Sequence, residues 1–204
     1  MFLQQALAMS FNNLLFRYLT ISICLFYLTA CGEMKNDLLP SDSDLQESVE
    51  SGTIGHRPSQ ISADFEVTSS EGNLFTLSSS LENGDTPADA IILYFTMWCP
   101  ICLGHSDHMF NTVMPQFRDR GDITYVLVDH ISGSTALTRA SEIASGYSDS
   151  GFITLADTDH ILFKQFHASN GTTVVISSTG EILLNEDYRT GENLIEVLDE
   201  LLAQ

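Results

Sequence analysis

Ala88-Asp-Ala-Ile-Ile-Leu-Tyr-Phe-Thr-Met-Trp-Cys-Pro-Ile-Cys102 is the stretch on which the fold turns. Its first part, Ala88 to Phe95, is a continuous apolar run rich in β-formers, which predicts a strand buried on both faces. Immediately behind it comes Trp98-Cys99-Pro100-Ile101-Cys102, and then a helix to about Arg118 with Cys102, Met109, Phe110, Val113 and Phe117 on one face. Gly121 is expected to end that helix. The two cysteines thus stand where a buried strand hands over to a helix. At a helix N-terminus the unpaired amides and the macrodipole favour a thiolate, so Cys99 reads as the exposed attacking thiol. Cys102, one turn in on the same side, reads as the buried resolving thiol that closes a disulfide and frees the partner. Pro100 suits the first helical turn because it has no amide hydrogen to leave unpaired. Trp98 is expected to pack beside the pair.

Elements on either side extend the pattern. Phe65–Thr68 and Leu74–Leu77 flank Ser69-Ser70-Glu71-Gly72-Asn73 as a hairpin. Downstream, Ile123–Val128 reads as a second buried strand, followed by a helix over Ala136–Ala144, a short strand over Phe152–Ala156 and a helical turn over Ile161–Phe166. Thr172–Ser177 and Glu181–Leu184 form a closing hairpin, and Asn193–Leu202 an amphipathic helix. Strands alternating with helices give an α/β layer structure with a central mixed β-sheet flanked by helices and an N-terminal β-hairpin extension.

Other chemistry for the cysteine pair is weaker. A purely structural disulfide between Cys99 and Cys102 would close a tiny loop and constrain almost nothing. Cys99, Cys102, His105 and His108 imitate a zinc-site spacing, yet nine helical residues rise about 13 Å. Zinc ligands must converge to within about 2.3 Å of one ion, so a straight helix cannot supply all four. His105 and His108 read as solvated or modulating side chains, with His105 near enough to Cys102 to influence the thiols.

The first thirty residues carry an address. Arg17 precedes the apolar run Tyr18–Ala30, about thirteen residues long and too short for a bilayer span of about 20. The run ends in Leu28-Thr29-Ala30-Cys31-Gly32, which resembles a bacterial lipoprotein signal. That resemblance implies cleavage before Cys31, its acylation, and loss of Cys24 with the signal. Gly32 after the acylated cysteine implies the outer membrane rather than inner-membrane retention, and either Met1 or Met9 serves as the start. Residues 31–60 are acidic, Ser-rich and poor in large apolar side chains, so they read as a disordered tether ahead of a domain at 61–204.

With 27 acidic against 8 basic residues and a formal charge of −19, the surface repels phosphate backbones, which excludes nucleic acid as a partner. An apolar content of 44% still provides for a proper core.

The strand-Trp98-Cys99-Pro100-x-Cys102-helix unit, the preceding hairpin and the trailing Thr172–Ile182 hairpin together resemble the thioredoxin superfamily over residues 61–204. The nearest branch is the membrane-tethered periplasmic thiol-disulfide proteins of the TlpA/redoxin kind. The resemblance implies disulfide exchange with cysteine-containing exported proteins or a redox partner, and no cofactor. Two departures stand out. The family's cis-proline, directly before the strand matched by Thr172–Ser177, is Gly171 here, beside Thr172, and no proline follows Pro115. Leu93 occupies the place where thioredoxins proper carry a buried acid. Whether Asp129 and His130 tune the thiolate stays open from sequence.

Two other resemblances compete. Copper-handling proteins of the Sco family share this fold and use two cysteines and a histidine, here Cys99, Cys102 and His167, with Met97 as a further soft ligand. Their cysteine spacing is C-x-x-x-C, and His167 is offset by about two residues. Thr96-x-x-Cys99 echoes peroxiredoxins, which would make this a thiol peroxidase, but Ile92 stands where their proline belongs and no partner arginine is identifiable.

Overall fold

A computed structural model describes residues 49–203. The hairpin strands β1 (Glu66–Thr68) and β2 (Leu74–Thr76) pair antiparallel as a small sheet of their own, followed by a single helical turn, α1 (Leu77–Ser80). The motif strand is β3 (Ala90–Thr96). It runs into α2 (Pro100–His108), a π-helical turn (Met109–Val113) and α3 (Met114–Phe117). Next come β4 (Ile123–Asp129), α4 (Thr135–Ser145), β5 (Ile153–Ala156), α5 (Ile161–Gln165), β6 (Thr172–Ser177), β7 (Ile182–Asp187) and α6 (Glu192–Leu201). The main sheet has the order β5-β4-β3-β6-β7, with β3 parallel to β4 and antiparallel to β6. It is the mixed sheet with an N-terminal hairpin that the sequence predicts.

Every residue of β3 is buried, because β3 is the central strand and both of its faces are covered. Its alternation divides the core. Ile91, Leu93 and Phe95 join Phe65, Val67, Phe75, Leu162 and Phe166 on the face covered by the hairpin and α5. Ala90, Ile92 and Tyr94 join Cys102, Met109, Val113, Phe117, Leu194 and Leu198 on the face covered by α2, α3 and α6. Truncating a fully buried phenylalanine such as Phe95 removes about 3–5 kcal/mol, so this strand is a rigid base for the loop that follows it.

Two expectations need correction. The helix after the motif is not one regular α-helix to Arg118. Pro115 has no amide to give and its ring crowds the preceding turn. The chain widens into the π-helical turn just ahead of it, and α-helix resumes with Pro115 in the first turn of α3. The register shift turns Phe110 outward, 39% exposed, while Met109, Val113 and Phe117 stay buried. Helical structure then ends at Phe117, before Gly121.

Residues 49–60, placed in the disordered tether by sequence, are tied to the domain. Gly52 donates to the Ser59 carbonyl, Ser59 to the Ile182 carbonyl and the Asn185 amide to the His56 carbonyl. Ile61 bridges both Ile54 and Glu181. The signal, Cys31, Gly32 and the remainder of the tether lie outside the described residues.

The helix expected over Ala136–Ala144 is present as α4, and its buried face is polar. Glu142 is fully buried and accepts from Ser70 Oγ (2.6 Å), Thr154 Oγ1 (2.9 Å) and Arg139 (2.7 Å), pinning the hairpin turn to β5. Leu137 and Ile143 of the same helix are exposed.

Candidate active site

Cys99 is the N-cap residue of α2, with extended backbone (φ −75°, ψ 161°). Its Sγ accepts the Cys102 amide hydrogen at 3.3 Å, the side-chain capping bond that serine or aspartate supplies in other helices. The two sulfurs lie 3.1 Å apart, within hydrogen-bond reach and not bonded. The environments are opposite. Cys99 is half-exposed, and the Cys102 amide, followed by the Cys102 thiol, holds its pKa below the ordinary thiol value against a smaller effect of burial. Cys102 is 3% exposed, and burial is the main cause that pushes its thiol up. The surroundings thus favour a thiolate at Cys99 and a protonated thiol at Cys102.

Trp98 takes a left-handed backbone conformation, φ +59°. A bulky aromatic residue there costs on the order of 1–3 kcal/mol and needs its surroundings to hold it. The Trp98 amide donates to Thr96 Oγ1 (3.1 Å), and its indole Nε1 donates to Asp129 Oδ2 (2.9 Å). The other Asp129 oxygen accepts from the Ile131 and Ser132 amides at 2.9 and 3.0 Å. Burial pushes the Asp129 carboxyl up, but the bonds from Ser132, Trp98 and Ile131 outweigh it and leave the group below the ordinary range. Asp129 therefore reaches the cysteine pair through Trp98. Thr96, the peroxiredoxin-like threonine, spends its hydroxyl on the same brace.

Asp129→Ala is expected to remove roughly 2–3 kcal/mol of stability at pH 7. Because the folded-state pKa is depressed, the carboxylate's contribution is fully present above the unfolded value of about 3.9. It disappears as pH falls through the folded value. Urea denaturation should show the gap between wild type and variant narrowing from pH 5 to pH 3, and a constant gap would remove the carboxylate from this account.

His130 does not face the thiols. It is buried, stacks on Phe163 with centroids 4.5 Å apart, and burial lowers its pKa. His167 stacks on His56 (3.9 Å, 10° between planes). Among the described residues no three His, Cys, Asp or Glu side chains gather where they could hold one metal ion, so Cys99, Cys102 and His167 are not one site. Met97 is partly exposed next to Trp98.

Gly171 occupies the loop before β6, at φ +93°. Its amide donates to the Phe95 carbonyl at 2.8 Å, and its carbonyl accepts from Tyr188 N at 2.9 Å. A Cβ there would come no closer than 4.0 Å to a neighbouring atom, His105 Nδ1, so the loop lies against the motif helix. Thr172 is buried and its Oγ1 accepts from Ser169 N (2.9 Å), shaping the turn.

Two tyrosines that the sequence did not single out complete the surroundings. Tyr94 Oη sits 3.0 Å from His105 Nδ1, and Tyr188 Oη 2.7 Å from His108 Nδ1. Tyr188 can pack this way because Gly191 (φ +77°) follows it; a Cβ at Gly191 would fall 2.8 Å from Tyr188 Oη. The only advance signal for Tyr94 was the alternation of β3, which sets it on the Cys102 side and Leu93 on the opposite face.

This fold matches solved structures over most of their length. A candidate protein disulfide isomerase from Bacteroides thetaiotaomicron superposes with a TM-score of 0.59 at 18% identity, covering 72% of this chain and 91% of its own. The fold is thioredoxin-like. The MTB protein dsbF, solved in mixed oxidized and reduced forms, gives a TM-score of 0.53 at 18% identity over 67% of this chain and 94% of its own. Peroxiredoxin Q from Xanthomonas campestris gives 0.52 at 18% over 69% and 90%. No protein-family model matches the sequence, and no curated protein matches it either. Within the thioredoxin-like fold, the cysteine pair stands at the end of the central strand and the Gly171 loop lies beside the same helix. A cavity of about 490 Å³ along Phe110, Met114 and Tyr125 includes neither cysteine.

Proposed function

We propose that this protein is a thiol-disulfide oxidoreductase that exchanges disulfides with cysteine-containing exported proteins or a redox partner. The observation that carries this reading is the pair itself: a half-exposed Cys99 sulfur at a helix N-terminus, 3.1 Å from a buried Cys102 sulfur. The Cys99 thiolate attacks a partner disulfide, forming a mixed disulfide and expelling one partner thiolate. Cys102, deprotonated, then attacks Cys99 Sγ, closing the Cys99–Cys102 disulfide and expelling the second partner thiolate, so that two electrons pass to the partner. Run backwards, the same steps oxidise a partner dithiol. The names of the structural neighbours, a disulfide isomerase and a protein caught in oxidized and reduced forms, support the same chemistry.

The tether belongs to this reading. Acylation of Cys31 would supply about 0.8 kcal/mol per buried methylene and hold the domain at the periplasmic side of the cell envelope, with Gly32 directing it to the outer membrane. Among the described residues no helix is long and apolar enough to cross a membrane. The full chain in detergent is expected to accelerate the reduction of insulin disulfides by dithiothreitol. Insulin reduction at the uncatalysed rate would count against the reading.

A further inference from the structure

Disulfide exchange makes a demand on Cys102 that Cys99 escapes. At 3% exposure its sulfur has no direct route to water, yet its proton must leave before it attacks Cys99 and return when the disulfide is reduced. A buried acid would meet this demand, but Leu93 packs on the other face of the sheet. Tyr94 faces Cys102 instead. Its ring is fully buried in the same cluster as Cys102, its hydroxyl donates to the Cys102 carbonyl oxygen at 3.5 Å, and that hydroxyl acts to lower the Cys102 thiol pKa against the effect of burial. The same hydroxyl is 3.0 Å from His105 Nδ1. His105 is half-buried, so its ring joins the interior to the surface.

We infer that Tyr94 and His105 form a relay that carries the proton of Cys102 between its buried thiol and solvent whenever the disulfide is made or broken. This rests on the disulfide-exchange reading for its use, though not for its existence.

The protons balance in one concerted shift. In the proposed step, Tyr94 O–H donates to Nδ1 of a neutral His105 protonated at Nε2, and the Cys102 S–H turns to Tyr94 Oη. The thiol proton moves to Oη as the phenolic proton moves to Nδ1. Cys102 is left a thiolate held by Tyr94 O–H, and His105 becomes an imidazolium that sheds its Nε2 proton to water. Tyr94 never ionises, in keeping with burial pushing its pKa far up. His105 is receptive because burial, then His108, lowers its pKa and keeps it neutral at pH 7. The groups packed on His105 are Tyr94, His108 and Tyr188, whose ring lies 4.9 Å away; none is a carboxylate that would hold His105 charged. Around Cys102 the titratable neighbours are Cys99 and Tyr94.

The test uses the full chain with Cys99→Ser, so that Cys102 reacts without its partner. Its alkylation by iodoacetamide is followed against pH on the Cys102 peptide by mass spectrometry. Adding Tyr94→Phe should move the inflection upward by about one pH unit. In the Cys99-intact chain, release of glutathione from a preformed Cys99–glutathione disulfide should slow roughly tenfold or more at pH 7 in Tyr94→Phe and in His105→Gln. The imidazole NMR signals of His105 should titrate at different pH in the dithiol and disulfide forms of wild type, and this difference should vanish in Tyr94→Phe. A side chain that only packs would move neither the alkylation inflection nor the redox dependence of His105. Unchanged pH profiles in both variants would overturn the relay. His105→Gln, at a half-exposed position, keeps the test available if Tyr94→Phe fails to fold. If wild type never releases glutathione, disulfide exchange fails while the Cys102 alkylation profile still decides the relay.

Discussion

Cys99→Ser is expected to bring insulin reduction down to the uncatalysed rate, while Cys102→Ser stops after one half-reaction and accumulates a covalent adduct. The difference follows from the positions of the two sulfurs. Only Cys99 is exposed enough to meet a partner, and only Cys99 caps a helix whose Cys102 amide stabilises its thiolate. Without that sulfur no mixed disulfide can form. Without Cys102 the mixed disulfide forms but lacks the internal nucleophile that lies 3.1 Å away in wild type. Non-reducing mass spectrometry after mixing with oxidised glutathione should show a stable single adduct on Cys102→Ser at Cys99, and none on the pair in Cys99→Ser. An adduct preferentially on Cys102 would reverse the assignment of attacking and resolving thiols.

Gly171→Pro carries the second large effect, and it is a loss. The resemblance to the thioredoxin superfamily implies a proline at this point, so the substitution looks like a restoration. Here the Gly171 amide donates to the Phe95 carbonyl at the end of the central strand, and the backbone sits at φ +93°, far from the −65° that proline fixes. Losing the bond, stranding a buried carbonyl and forcing the dihedral should together cost about 3 kcal/mol or more. Gly171→Ala separates the two causes. The nearest neighbour to its Cβ is 4.0 Å away, so only the left-handed backbone is penalised, at about 1–2 kcal/mol. Urea midpoints measure both. Equal stability of Gly171→Pro and wild type would mean the loop readily adopts the proline geometry, and the Gly171 amide would lose its place in the argument.

These two cases mark where the sequence was a sufficient guide. The cysteine pair was legible because its signal is local: an apolar strand, two cysteines three apart and a proline in the first turn. The hairpins and α6 were legible for the same reason, their hydrophobic period standing out from turn residues. The brace around Trp98 was not, since it joins residues 31 apart in the chain and no local pattern pairs a tryptophan with Asp129. Tyr94 read as one more apolar residue in a buried run, because a tyrosine hydroxyl declares itself only when its partner is known. Tyr188 was hidden in the turn after β7 and reaches the motif helix only because Gly191 leaves it room.

Other differences have equally specific causes. Residues 49–60 lack the apolar density that marks a core segment, and they attach through backbone and amide hydrogen bonds that composition does not reveal. The buried face of α4 centres on Glu142, which accepts from the Ser70 and Thr154 hydroxyls, a feature that hydrophobic periodicity does not reveal. Pro115 was the one visible sign of the π-helical turn, and it displaced Phe110 from the face it was assigned.

Cycling of Cys99 and Cys102 between dithiol and disulfide can be followed by equilibrating the full chain against graded mixtures of reduced and oxidised glutathione. The reaction is quenched with acid, and the Cys99–Cys102 peptide is alkylated and weighed. A reversible transition is expected, reached from either direction, that follows the squared concentration of reduced glutathione divided by the concentration of oxidised glutathione, as a two-electron couple requires. Its midpoint fixes whether the protein reduces or oxidises its partners. A pair that stays dithiol at every ratio, or that stops at a glutathione adduct without closing, would contradict the account.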